Sequence, residues 1–420
     1  MEYGLALIAL LVAGYALVAA RLQRLSISSA FAFVAIGILV SEDFLGILVL
    51  EPEAESVKLI AEITLALVLF GDASSVDFRA LRRDAGPVIR LLVPGLLLTI
   101  VFGTVLAFGL FPGITLGLAL LIGASLAPTD AALGQPVITD ERVPARIRRI
   151  LNVESGLNDG IATPFVYLAL GIATAEATGS EGWITDALLS GAIGAVAGIV
   201  VGAVGGWLLV AADLRKWPST QSRQLAVLAL SIGSYLVALA MGGNGFIAAF
   251  VGGLAFGVAT RRRSDDAVEF TEAQGSLLAI VVWTVFGITI GGSLIADGLD
   301  LRAIGYAVLS LTVIRMVPVA LALLGCRFQP ATLGFIGWFG PRGLASIVFL
   351  IIALEGLHGA GLETDVLVAA IGWTVLLSVV LHGLTAVPLS RRYGAAISSV
   401  AGDIPEREPP AEPEPTTKGN

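Results

Sequence analysis

Apolar stretches close to the length that crosses a bilayer recur along almost the whole of this chain, and that recurrence limits what it can become. A hydrocarbon core ~30 Å thick takes ~20 apolar residues per helix, and within lipid the backbone must satisfy its own hydrogen bonds. Thirteen such stretches can be drawn, at roughly 3–20, 27–41, 57–72, 89–111, 116–136, 147–171, 188–210, 224–241, 244–260, 275–295, 303–325, 331–356 and 364–389. Composition points the same way. Of 420 residues 56% are hydrophobic and 14% charged, against ~25% charged in a soluble domain, and the mean hydropathy is +0.91. The 50 glycines suit helices that pack through small residues. The expectation is an all-α polytopic membrane protein of 13 transmembrane helices.

The connecting loops alternate in charge. RLQR, DFRALRR, ERVPARIRR, DLRKWPSTQSR, RRR, CRF and SRRY alternate with SEDFLGILVLEPEAE, FPGI, AEATGSEGWITD, GGNG, ADGLDLR and EGLHGAGLETD. Apart from Lys58, Arg302, Arg315 and Arg342, every Lys and Arg falls in or beside the first set of loops or in the C-terminal tail. The positive-inside rule then places the N-terminus outside and the C-terminus in the cytosol. The opening MEYGLALIALLVAGYALVAA lacks a basic n-region and an A-x-A site, so it reads as a retained span. Residues 395–420, rich in Pro and Glu, read as a short disordered cytosolic tail after a membrane domain of 1–394. One cysteine and two histidines offer no His/Cys cluster for a transition metal. No G-x-x-x-x-G-K-[ST] phosphate loop occurs, so no cofactor and no nucleic-acid partner are expected.

Two spans carry interruptions: SLAPTDAALGQP in the fifth and GWFGPRGLAS in the twelfth. Pro and Gly there free backbone groups that need other partners. Pro128 and Pro341 lie about half the chain apart, so spans 1–6 and 8–13 can form two inverted six-helix repeats, and paired broken helices point to a transporter's binding site near the midplane. A plainer reading is that Pro and Gly are common in membrane helices.

Ionisable residues inside the spans are few: Glu62, Asp72, Asp130, Glu154, Asp159, Arg315 and Arg342. Each is costly in lipid and so a functional candidate. At about 100° per residue, Glu154, Asn158, Ser155 and Asp159 fall at roughly 0°, 40°, 100° and 140°, one continuous polar face. Its oxygens suit an alkali cation or a proton, with a Thr129 carbonyl and water completing the shell. An intramembrane Arg keeps its charge and must be paired; Arg315 with Glu154 is the economical assignment, leaving Asp130 and Asp159 without a fixed partner. Arg342 is expected to offset the negative end of a half-helix. Asp72 and Glu62 read as funnel residues or as solvated helix ends, and His382 as a pH sensor or a packing residue.

APTDAALG, then NVESGLNDGIATP, an intramembrane Arg in LTVIRMVP, GPRGLASIV and SVVLHGLTAVPLSRRYG together resemble the monovalent cation:proton antiporter family that includes the NhaP-type sodium/proton antiporters. The resemblance implies an NhaA-like fold with crossed broken helices. It also implies a homodimer in the plasma (inner cell) membrane, each protomer with a moving core (about 89–171 and 303–389) and a dimerisation scaffold. Carried over, Asp159 is the cation and proton carrier, Na⁺ sits among Asp159, Asp130, Ser155 and Thr129, Asn158 belongs to the Asn-Asp pair, Glu154 pairs with Arg315, and Arg342–Gly343 is the Arg-Gly of the second broken helix. Asn158, where electrogenic relatives carry a second aspartate, implies electroneutral exchange of one Na⁺ or Li⁺ for one proton. A potassium/proton antiporter and a cation channel are the alternatives. Thr129-Asp130-Ala131 departs from the common Thr-Asp-Pro, and LFGDA lacks a Glu after the Phe.

Overall fold

The computed structural model describes residues 2–24, 28–50, 54–261, 265–359, 361–402 and 404–407. The chain is helical along its length: α1 (Glu2–Arg24), α2 (Ser29–Val40), α3 (Glu55–Ser74), α4 (Phe78–Arg90), α5 (Leu96–Leu110), α6 (Leu116–Ser125), α7 (Ala131–Ile138), α8 (Ala145–Thr178), α9 (Trp183–Leu214), α10 (Thr220–Ala240), α11 (Gly245–Thr260), α12 (Asp265–Phe286), α13 (Gly292–Ala296), α14 (Leu301–Leu311), α15 (Val313–Ala322), α16 (Pro330–Trp338), α17 (Leu344–His358) and α18 (Asp365–Ser399). Among the described residues, seven helices are each long and apolar enough to cross a membrane. Others are shorter than a full span; α2 has 12 residues.

Local chemistry sets the helix ends. Thr115, Asp130, Ser219, Asn244 and Asp300 each accept a hydrogen bond from a backbone N–H of the first turn that follows, which satisfies donors the helix itself cannot. Pro94 lies in a π-helical turn, Leu91–Gly95, joining α4 to α5; a missing N–H inside a helix is absorbed by such a bulge.

Two sets of helices pack side by side. In one, α9, α10, α11, α3, α12 and α2 contact one another; in the other, α5, α6, α7, α8, α14 and α18 do, with α15 against α5 and α16. Within the first set α9 and α11 meet backbone to backbone. A Cβ at Gly198 would collide with the backbone of Ala248, and one at Gly202 with that of Gly252, so glycine at this spacing permits the approach. The junction between the sets runs along α8, which touches α3, α9 and α11.

The C-terminal region departs from the expectation of a disordered tail from 395. Helix α18 continues to Ser399, and Pro405–Arg407 forms a 3-10 turn docked on the bundle. Buried Glu406 accepts hydrogen bonds from Gln329 N and Thr332 Oγ1, each at 2.7 Å, at the start of α16. Arg407 donates to the carbonyls of Ser398 (3.0 Å) and Val400 (2.8 Å) at the end of α18. A carboxylate at one helix N-terminus and a guanidinium at another's C-terminus hold a segment with little to bury. Residues 408–420 lie outside those described.

Candidate functional site

Both expected interruptions are real breaks, and they meet. The chain leaves helical geometry between Ser125 and Ala131, and again between Trp338 and Leu344. Asp130 N donates to Pro341 O at 2.8 Å, a backbone bond between two segments half a chain apart.

Asp130 is more constrained than the sequence suggests. Its Oδ1 accepts from Leu133 N at 2.9 Å and its Oδ2 from Leu344 N at 2.7 Å. One carboxylate therefore caps α7 and α17 at once, where both helix dipoles favour a negative charge. The expectation that Asp130 lacks a fixed partner does not hold, because the crossing brings two sets of orphan N–H groups to one side chain. Gly343 makes room for it: a Cβ there would collide with the Asp130 carboxylate.

Arg342 does the converse. Fully buried, it donates from Nη1 to Ala127 O (2.6 Å) and Pro128 O (2.9 Å), so a charge from the second break satisfies the C-terminal carbonyls of α6 at the first. Ser346 Oγ adds a bond to Ser125 O at 2.7 Å. Asp130 thus covers the positive ends of α7 and α17, and Arg342 the negative end of α6.

The polar face of α8 lies against this crossing. Glu154, Ser155, Asn158 and Asp159 are all buried. Arg315 Nη1 stands 2.6 Å from Glu154 Oε1, with both side chains at most 4% exposed. Ser155 Oγ lies 3.0 Å from Thr129 Oγ1, and Asn158 Nδ2 donates to the same Thr129 oxygen at 2.6 Å. The Thr129 hydroxyl, rather than its carbonyl, makes these contacts. Asp159 Oδ1 is buried and accepts no hydrogen bond, and the same is true of Glu154 Oε2 and Asn158 Oδ1. Among the described residues no three His, Cys, Asp or Glu side chains gather as ligands for a resident metal.

A cavity of about 270 Å³ leads toward this site from the end of the bundle where α8 begins, lined by Asp72, Ser75, Asp77, Asp84, Ala131, Arg149, Asn152 and Gly156 among others. Its inner residues neighbour the site in sequence: Ala131 follows Asp130, and Gly156 precedes Asp159 by one turn. Half-buried Asp72 sits opposite Gly156, where an added Cβ would lie 3.5 Å from its own. At the rim Asp84 is held between Arg146 (2.8 Å) and Arg149 (2.9 Å). On the far side of Asp159 the packing is tight. The Phe250 ring presses against Gly160 so closely that any Cβ would overlap it, and the tilted rings of Tyr167, Phe246 and Tyr235 pack beyond it with centroids 6.4 and 5.1 Å apart. Glu62 lies beyond these, 3.9 Å from Lys58, which also pairs with Glu355.

The sequence profile of the family described as sodium/hydrogen exchanger, transmembrane, matches residues 7–392. This chain belongs to that family. The NhaP-type resemblance of the motifs extends through the membrane region. The chain is 28% identical over 355 residues to the Na(+)/H(+) antiporter ApNhaP of Aphanothece halophytica, covering 81% of this chain and 65% of that one. It is 27% identical over 394 residues to the K(+)/H(+) antiporter NhaP2 of Shewanella sp. (strain ANA-3), covering 91% and 66%. The chain thus spans just under two thirds of the length of these curated relatives. The solved structure of the sodium proton antiporter MjNhaP1 from Methanocaldococcus jannaschii shares its fold, with a TM-score of 0.74 at 21% identity, covering 91% of this chain and 100% of that one.

Proposed function

We propose that this protein is an electroneutral antiporter that exchanges one Na⁺ or Li⁺ for one proton by alternating access, with Asp159 as the carboxylate both ions share. The observation that carries this reading is the division of labour among buried charges. Glu154 is neutralised by Arg315, Asp130 by two helix N-termini, and Arg342 by the carbonyls of the other break, whereas Asp159 Oδ1 has no protein partner. A buried carboxylate in that condition requires a cation or a proton. It takes one or the other, so one charge leaves as one enters, and the exchange is electroneutral. Ser155 and Thr129 supply hard oxygens beside it, and Asn158 orients the Thr129 hydroxyl. Asp130 serves the cation through the electrostatics of the crossing as well as by proximity.

The remaining finer points belong to the same reading. The chain is arranged as 13 spans in two inverted repeats, the fifth and twelfth being the broken pair. Its termini lie outside (N) and in the cytosol (C), in the plasma membrane. The α8-containing set of helices acts as the moving core, and the set around α9 and α11 acts as the scaffold of a homodimer. The 270 Å³ cavity is then the cytosolic approach, and the Gly160–Phe250 contact closes the opposite side, which favours occluded exchange over a channel's continuous pore. Potassium is the second candidate ion, because NhaP2 of Shewanella is a K(+)/H(+) antiporter of comparable identity. The test is proton movement in proteoliposomes with the membrane potential clamped, adding Na⁺, Li⁺ and K⁺ in turn. Flux with Na⁺ and Li⁺ supports the reading, flux with K⁺ alone changes the substrate, and flux with none overturns it.

A further inference from the structure

We propose that His382, together with Ser378 on the same helix, is a positioning residue for the exchange reaction: the two splint the break between α16 and α17 and so hold Arg342 against the carbonyls of the other break. The inference rests on the exchange reading only for its transport readout. Ser378, His382 and Thr385 fall at i, i+4 and i+7 of α18, on one face of the helix, and all three meet the second break. On its near side, His382 Nε2 lies 2.9 Å from Trp338 O, the last carbonyl of α16. The Trp338 ring stacks on the imidazole with centroids 5.2 Å apart, and Trp338 Nε1 donates to Thr385 Oγ1 at 2.9 Å. On its far side, Arg342 N donates to Ser378 Oγ at 2.7 Å.

Hydrogen bonding joins the two sides. Nε2 faces Trp338 O and Nδ1 faces Ser378 O, each at 2.9 Å, and a carbonyl only accepts, so a neutral imidazole donates to one of the two at a time. The Ser378 hydroxyl lies 3.3 Å from Nδ1. The result is a break held from α18 on both sides, by Ser378 Oγ accepting from Arg342 N after it and by the His382 imidazole against Trp338 O before it. A break lacks its own backbone ladder, so an external splint is what fixes its shape. Arg342 carries that shape onward, since its guanidinium reaches Ala127 O and Pro128 O, immediately before Thr129 and Asp130. His382 is fully buried and touches none of the proposed ion ligands, so its effect is transmitted through position.

The test uses purified full-length protein with two substitutions. His382→Gln keeps an N–H donor for Trp338 O; His382→Phe keeps the ring on Trp338 without that bond. Proteoliposome exchange is measured for KM and kcat, and backbone deuterium exchange is followed for residues 339–344. We expect His382→Phe to raise the KM for the transported cation about tenfold, the equivalent of one buried hydrogen bond, with a smaller change in kcat and faster exchange at 339–344. His382→Gln stays within about twofold of wild type in both readouts. A wild-type KM and wild-type protection in His382→Phe overturn the proposal. So does a uniform loss of thermal stability with KM unmoved and no rescue by Gln, which is the pattern of a packing residue. If His382→Phe does not fold, Ser378→Ala, which leaves the stacked rings intact, is held to the same two criteria. If wild type moves no protons with any cation, the exchange reading fails, and the protection at 339–344 alone decides whether the splint exists.

Discussion

The ion pair between Glu154 and Arg315 allows a test in which the order of three variants matters more than any single value. The two side chains are at most 4% exposed and stand 2.6 Å apart. Glu154 Oε2 and Arg315 Nε and Nη2 make no other hydrogen bond, so either residue left alone has little to compensate it. Removing one partner of a buried pair costs ~3–5 kcal/mol, whereas replacing both by apolar residues of similar volume is near neutral. Arg315→Met and Glu154→Leu should each destabilise strongly, and the double variant should be more stable than either. A kcal/mol shifts the melting temperature of a domain of 150–250 residues by ~2–4 °C, less for a longer chain. Singles should therefore melt roughly 3–10 °C below wild type in detergent, with the double recovering most of the loss. Heating aliquots and counting the monodisperse fraction by size exclusion measures this. Singles that melt with wild type, or a double no better than the worse single, would refute the argument that the pair is desolvated and mutually dependent. Exchange in the double variant, reduced but present, is expected if the pair positions α8 rather than binding the cation.

Three further outcomes follow from the geometry. Asp130→Ala removes the acceptor for two half-helices, two charge-assisted bonds at ~1.5–3 kcal/mol each, and should lower thermal stability and abolish exchange; Asp130→Asn, which keeps one acceptor oxygen, should fall between, and a stable Asp130→Ala would disprove the double cap. Gly160→Val forces the Phe250 ring away from α8 and should cost about 1–3 kcal/mol by overpacking; Phe250→Ala in the same chain should recover stability in a thermal assay, and no recovery would place the strain elsewhere. Glu406→Ala takes the carboxylate from Gln329 N and Thr332 and should destabilise by about 1–3 kcal/mol, with faster deuterium exchange at the start of α16; an unchanged exchange rate there would mean the 3-10 turn does not hold that helix end.

What could be read from the sequence is what local chemistry announces. The breaks were visible because Pro128, Pro341 and their glycines cannot continue a helix in lipid, and the polar face of α8 because 3.6-residue periodicity gathers Glu154, Ser155, Asn158 and Asp159. Arg315 and Glu154 could be matched because intramembrane cations are so few. Asp130's two caps could not be read, since Leu344 reaches it only once segments half a chain apart have crossed. The same holds for Arg342, whose half-helix is α6 and not its own. Ser378 carried no signal beyond its i, i+4 spacing to His382, and the histidine's partner is a carbonyl, invisible to any side-chain pattern. The tail misled for a different reason: its Pro and Glu content suggests disorder, yet Glu406 and Arg407 find helix termini whose unsatisfied backbone groups no composition reveals.

The most direct test of the central claim compares wild type with Asp159→Asn in proteoliposomes carrying a pH-sensitive dye, with potential clamped and Na⁺, Li⁺ or K⁺ added. Asparagine keeps the size and removes the group that takes a cation or a proton in turn. The account predicts cation-driven proton flux in wild type and none in the variant, with the variant folded and monodisperse. Equal flux from the two proteins would contradict it, because the exchanged charge would then reside somewhere other than Asp159, whose buried Oδ1 accepts no hydrogen bond.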